Sequence, residues 1–189
     1  MGWSEIPRYS FKIPAGWDET PVSIADLGGT EIDLRYSNPD EGTLMVIVAP
    51  VLRFADIGWN ASVSLPDLAP PDRIIEGAPR GPAQARACPP NPADTDSARA
   101  PLTPLPLPAG FAPELFGAPL NEGDVVDTKV EARGGVTYYS WELKPHRLVA
   151  AAAVRNRLFL MAISANGRQW RRSADDLRRI QQTFTVPQS

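Results

Sequence analysis

The sequence predicts an α+β fold, a central antiparallel β-sheet flanked by helices. Three observations carry this. Short runs alternate apolar and polar side chains, glycine- and asparagine-bearing turns separate the later runs as in hairpins, and the clearest helical spacing lies at the C-terminal end.

The first alternating run is Tyr9-Ser10-Phe11-Lys12-Ile13, expected as a strand and closed by the turn chemistry of Pro14-Ala15-Gly16-Trp17. From Thr30 to Tyr36 the alternation is clean. Ile32, Leu34 and Tyr36 are expected on one face and Glu31, Asp33 and Arg35 on the other, a half-buried strand with one wet side. Asn38-Pro39-Asp40-Glu41-Gly42 is a turn, and Leu44–Val48 is apolar enough for a strand buried on both faces.

The character then changes. Twelve prolines lie between Pro66 and Pro108, where missing backbone donors and ring clashes bar regular helix and sheet. A structureless loop of that length is rare inside a domain, so residues 78–110 are read as a dispensable insertion. Its removal joins Asp72–Gly77 to Phe111–Gly117, a short helical connection. The alternative reading, a polyproline II ligand, has no basic residue placed as such ligands usually require.

A meander follows. Val125–Val130 leads through Gly134-Gly135 to Val136–Leu143, and Arg147–Val154 turns at Arg155-Asn156 into Arg157–Ile163. The alanines at 150–153 would suit a helix, but the neighbouring turn favours a strand on which a helix packs closely. The closing helix shows Leu177, Ile180 and Phe184 at near-helical spacing, with Ser173 as the expected N-cap and Asp176 three residues on.

Composition narrows the functional classes. A chain of 189 residues, 43% hydrophobic and 22% charged, suits one domain over 1–189 with a real core. Its net charge of −3 argues against a protein built to grip nucleic acid. No run approaches the roughly 18 apolar residues of a transmembrane segment. The opening Met1–Pro7 has neither a basic n-region nor an apolar h-region, so the expectation is a cytosolic protein or a mature form. The single Cys88 allows no internal disulfide, leaving an incidental thiol or a link to another chain.

Catalytic signatures are missing: there is no phosphate loop, nucleophile elbow or zinc-protease motif. His146 is the only histidine, and no serine or cysteine stands in a nucleophile motif, so a non-catalytic binding protein is expected. Neither Asp40-Glu41-Gly42 nor Asp94-Thr95-Asp96 has the form of a calcium loop. The feature that stands out is basic. Arg168, Arg171, Arg172, Arg178 and Arg179 fall within twelve residues of the closing helix. They read as a solvated face favoured near a helix C-terminus, or as a patch that docks an acidic protein surface.

Taken together, the residues resemble the PsbP family, lumenal proteins of oxygenic photosynthesis. The likeness begins at Tyr9-Ser-Phe11-Lys-Ile13-Pro14-Ala-Gly16-Trp17 and continues through Leu44–Pro50, Gly134-Gly135-Val-Thr-Tyr138-Tyr139 and Leu158-Phe159. It closes at Gln169-Trp170-Arg171 and Thr183-Phe184. Asp26–Arg35 and Ala49–Asp56 look more like the PsbP-domain paralogues than the oxygen-evolving subunit, whose N-terminal extension has no counterpart in the eight residues before Tyr9.

The resemblance implies an α/β/α sandwich and a non-catalytic accessory, assembly or stability factor for photosystem II or photosystem I. It also implies a mature form in the chloroplast thylakoid lumen, peripherally associated with the thylakoid membrane. Its partners would be photosystem subunits or assembly intermediates. His146 matches a family histidine implicated in divalent-metal binding, but the acidic partner position is Gly167, so calcium, manganese or zinc is expected to bind weakly at best. A Ran-binding nuclear transport factor uses the same kind of fold, which supplies a rival reading as a nuclear or cytosolic regulator. A small hydrolase is a third reading, with no motif behind it.

Overall fold

In the computed structural model, the residues described are 9–22, 32–51, 63–76, 120 and 123–188. The strands are β1 (Asp18–Glu19), β2 (Ile32–Asn38), β3 (Gly42–Pro50), β4 (Val125–Arg133), β5 (Val136–Leu143), β6 (Arg147–Val154) and β7 (Arg157–Ser164). They form one antiparallel sheet in the order β1-β2-β3-β7-β6-β5-β4. Two meanders therefore meet at its middle, where β3 pairs with β7 along their full lengths, from Thr43 opposite Ser164 to Pro50 opposite Arg157.

Helices α1 (Leu65–Leu68) and α2 (Pro71–Glu76) contribute to one face and α3 (Gly167–Thr183) to the other. On the first face Leu65, Ile74 and Ile75 pack with Ile47, Trp141, Val149 and Leu160. On the second, Leu177, Ile180 and Phe184 pack with Val46, Tyr138, Leu148, Met161 and Ile163. The sheet is thus buried on both sides through its centre, which is why β3, β6 and β7 are nearly continuous apolar runs. The expected sandwich of helices around an antiparallel sheet is the one observed.

Both predicted hairpins form. Gly134 and Gly135 take φ of 56° and 78°, the left-handed backbone that a two-residue turn between twisted strands requires. Of the alanines of β6, Ala150 and Ala152 sit under α3, while Ala151 and Ala153 face α1 and α2. Gln181, buried in that helix, donates from Nε2 to the carbonyls of Val149 (2.7 Å) and Trp141 (3.1 Å), a reach possible only where small side chains let helix and sheet approach.

Three expectations are corrected. Tyr9–Ile13 is not a sheet strand: Ser10 forms a lone bridge with Thr185, and the rings of Tyr9 and Phe11 pack onto the second core instead. Ile32 does not share a face with Leu34 and Tyr36. The β2–β3 register shifts between Ile32 and Leu34, a bulge that sends Ile32 to the first core and the other two to the second. The last helix begins at Gly167, six residues before Ser173. Asn166 is its cap, accepting from the N–H groups of Arg168 (3.0 Å) and Gln169 (2.9 Å) while Gln169 Oε1 accepts from the Asn166 N–H. The 78–110 segment, Cys88 and the Phe111–Gly117 arm lie outside the described residues.

Candidate docking surface and the His146–Trp170 corner

Helix α3 turns Leu177, Ile180 and Gln181 into the core, so its opposite stripe must face water. That stripe carries the arginines, and the early start of the helix changes their meaning. Arg168, Arg171 and Arg172 occupy its first two turns, at the positive end of the macrodipole rather than the negative one. The cost of placing cations there is not offset by an acid, since the first turn has none.

The five arginines do not act alike. Arg178 is half-buried and makes a two-pronged contact with Glu142 of β5, Nε and Nη2 donating at 3.0 and 2.9 Å. It also donates to Asp175 at 3.3 Å, and its guanidinium lies 5.1 Å from the Trp170 ring centroid. The hydrogen bonds to Glu142, more than burial opposes them, hold its pKa above the ordinary arginine value. Arg178 is thus committed to the fold.

The other four are exposed. Arg179 pairs with Asp176 at 3.3 Å, and Arg172 reaches Asp40 at only 3.9 Å, both at the surface where such pairs are weak. Arg168 and Arg171 have no ion-pair partner among the described residues.

His146 sits at φ +60°, between the cis Lys144–Pro145 bond and the start of β6. Its ring stacks on Trp170, with centroids 5.3 Å apart at 23°, and its carbonyl accepts from the Ala165 N–H at 3.1 Å. The metal expectation falls on this corner. A Cβ added at Gly167 would lie 3.6 Å from His146 Nε2, so a side chain at that position would meet the imidazole. Glycine supplies no ligand there. No group of three or more His, Cys, Asp or Glu side chains able to hold a metal occurs among the described residues. A single imidazole is too little for a tight divalent site, so the residues present do not fit one.

An open groove beside the α3 cap is lined by Asn38, Thr43, Ser164, Asn166 and Gln169, among others. Its amides are spent internally: Asn38 Nδ2 donates to the Gly16 carbonyl and Gln169 Nε2 to the Pro39 carbonyl, both at 3.0 Å. Glu142, the residue that removes Arg178 from the patch, carried no signal in the sequence. It lies in a different element, 36 residues away.

The described residues thus form an α/β/α sandwich with an exposed row of arginines on its outer helix face. No family model matches the chain. PsbP domain-containing protein 4, chloroplastic, of Arabidopsis thaliana is 40% identical over 187 residues, covering 98% of this chain and 58% of that protein. PsbP domain-containing protein 6, chloroplastic, of the same plant is 20% identical over 196 residues, covering 96% of the chain and 61% of that protein. The solution structure of cyanobacterial PsbP (CyanoP) from Synechocystis sp. PCC 6803 superposes with a TM-score of 0.53 at 15% identity, covering 95% of this chain and 87% of that one. The chain belongs to the PsbP family. It spans about three-fifths of the length of the curated relatives it matches. These relatives lend no support to the nuclear-transport or hydrolase readings.

Proposed function

We propose that the chain is a non-catalytic PsbP-domain protein of the chloroplast thylakoid lumen, an extrinsic accessory or assembly factor for photosystem II or photosystem I. In this reading it docks an acidic surface of a photosystem subunit or assembly intermediate through Arg168, Arg171, Arg172 and Arg179. The chloroplastic relatives support the chloroplast as the organelle. No helix among the described residues is long and apolar enough to cross a membrane, consistent with association from outside the bilayer.

The observation that carries the reading is the position of three arginines in the first two turns of α3. Arg168, in the first turn, works against the helix dipole by a few tenths of a kcal/mol, roughly, and Arg171 and Arg172 in the second turn add like charge beside it. An acidic partner answers it, speeding encounter and excluding wrong partners.

Two variants test the reading in thylakoid rebinding assays. Changing Arg171, Arg172 and Arg179 to Glu should release the protein at low salt with circular dichroism unchanged. Arg168→Glu should weaken rebinding while raising stability by about 0.3–1 kcal/mol, because the new anion sits at the helix N-terminus. Wild-type binding should also fall as ionic strength rises. If the triple variant stays membrane-bound at low salt, the helix face is not the docking surface.

A further inference from the structure

Strand β4 closes one edge of the sheet, and among the described residues nothing pairs with its outer side. It is nine residues long, and it carries Val126 and Val130, each more than half exposed. A long edge strand with unpaired N–H and C=O groups is a template for a further strand. Its side chains select which strand. From Asp127 to Arg133 the register against β5 is regular, so Asp127, Lys129, Glu131 and Arg133 share the α3 side of the sheet and Thr128, Val130 and Ala132 the other.

The charged row reads minus, plus, minus, plus, and reversed it becomes its own complement. We propose that β4 pairs antiparallel with β4 of a second copy of this chain, about a two-fold axis through Val130, joining two sheets into one. Outward-pointing backbone groups occur on alternate residues, so the axis must pass through a residue, not between two. Centred on Val130, Asp127 lies opposite Arg133 of the second copy and Lys129 opposite Glu131, each twice by symmetry.

Other centres do worse. Centring on Lys129 sets that lysine against itself and Asp127 against Glu131. Centring on Glu131 sets that glutamate against itself and Lys129 against Arg133. Thr128 or Ala132 at the axis keeps only half of the attractive pairs.

Directly opposed charges are the unit that favours or forbids strand pairing. On the other face Val130 meets Val130, covering apolar surface that is now exposed. Arg133 is already held in place: Nη1 donates to the Gln182 and Phe184 carbonyls, and the guanidinium lies 4.7 Å from the Tyr138 ring centroid. Within one chain Lys129 pairs with Asp127 at 3.6 Å and Arg133 with Glu131 at 3.0 Å, surface pairs that can exchange for the cross-strand ones.

Edge pairing alone makes a small interface, so the dimer belongs to the weak, reversible class. Sedimentation velocity of the full chain should show mass rising towards the dimer as concentration approaches roughly one millimolar, and falling back at high salt. Lys129→Glu and Glu131→Lys, each on its own, place like charges across the axis and should leave monomers. An equimolar mixture of the two variants restores every opposite-charge pair and should dimerise as the wild type does. The proposal is overturned if the wild type stays monomeric throughout, if either variant alone dimerises like the wild type, or if the mixture of folded variants stays monomeric.

Discussion

The contact between Arg178 and Glu142 should act as a fold clamp, and a double-mutant cycle measures how strong a clamp. Two charge-assisted hydrogen bonds at 2.9 and 3.0 Å join α3 to β5, with the arginine side chain 38% exposed and the glutamate 22%. Such bonds contribute about 1.5–3 kcal/mol when shielded. With more than a third of the arginine side chain in water, screening reduces the coupling to about 1–1.5 kcal/mol. Arg178→Ala also loses the contact over Trp170, worth about 0.5–1 kcal/mol at a partly exposed site. The single variant should therefore destabilise by about 2 kcal/mol, lowering Tm by roughly 4–8 °C for a domain of this size.

Urea unfolding of Arg178→Ala, Glu142→Gln and the double variant gives the coupling directly. A value below about 0.3 kcal/mol would refute the clamp. Arg178 would then return to the docking patch. The same variants separate structure from docking, because Arg178→Ala, while folded, should rebind thylakoids nearly as well as wild type.

Other outcomes are equally definite. Gly167→Asp places a carboxylate beside His146 Nε2 and at the favourable end of the helix dipole, so it should raise both stability and affinity for zinc or manganese. Calorimetry of the wild type should show at most weak divalent binding; micromolar affinity lost in His146→Ala would overturn that. Replacing residues 78–110 by a short Gly-Ser linker should preserve the fold, since halving a loop changes closure by only about 0.6 kcal/mol. A Tm drop of about ten degrees or more would show that the segment packs on the domain. The Asp67 carboxyl is held below the usual carboxylate range by the Ser64 hydroxyl, then by the Ser64 N–H. A depressed folded pKa contributes stability present above the unfolded value of about 3.9 and lost as pH falls through the folded one. Wild type and Asp67→Asn should thus differ in stability at neutral pH and converge in strong acid; a gap independent of pH would exclude this titration.

The strands were legible because apolar alternation and paired turn residues are local signals, and the chain from Val125 to Ser164 follows them closely. What escaped was non-local or tied. The bulge in β2 inserts a residue without breaking the alternating text, so Ile32 looked equivalent to Leu34. Asn166-Gly-Arg-Gln169 and Ser173-Ala-Asp-Asp176 both spell a helix start; packing of Trp170 on His146 favours the earlier one. The arginine patch was visible as composition, but its division into four exposed cations and one clamp depends on Glu142, which only the folded sheet brings near. The edge role of β4 was equally hidden, because strand order is a property of the sheet.

The seam between β3 and β7 sets the order in which the molecule can assemble. Thr43 and Ser164 meet across it from 121 positions apart, whereas β4 to β7 and α3 are joined by neighbouring turns. Closing the long loop first would cost entropy before any contact repaid it. The C-terminal meander with its helix should therefore form the nucleus, and the β2–β3 hairpin should dock late onto a finished β7 edge. Val149→Ala should slow folding, and Val46→Ala should chiefly hasten unfolding. The reverse pattern in stopped-flow chevrons would place the seam at the start of folding. Under this order, a nascent chain holds its β2–β3 hairpin undocked until β7 and the helix after it have emerged.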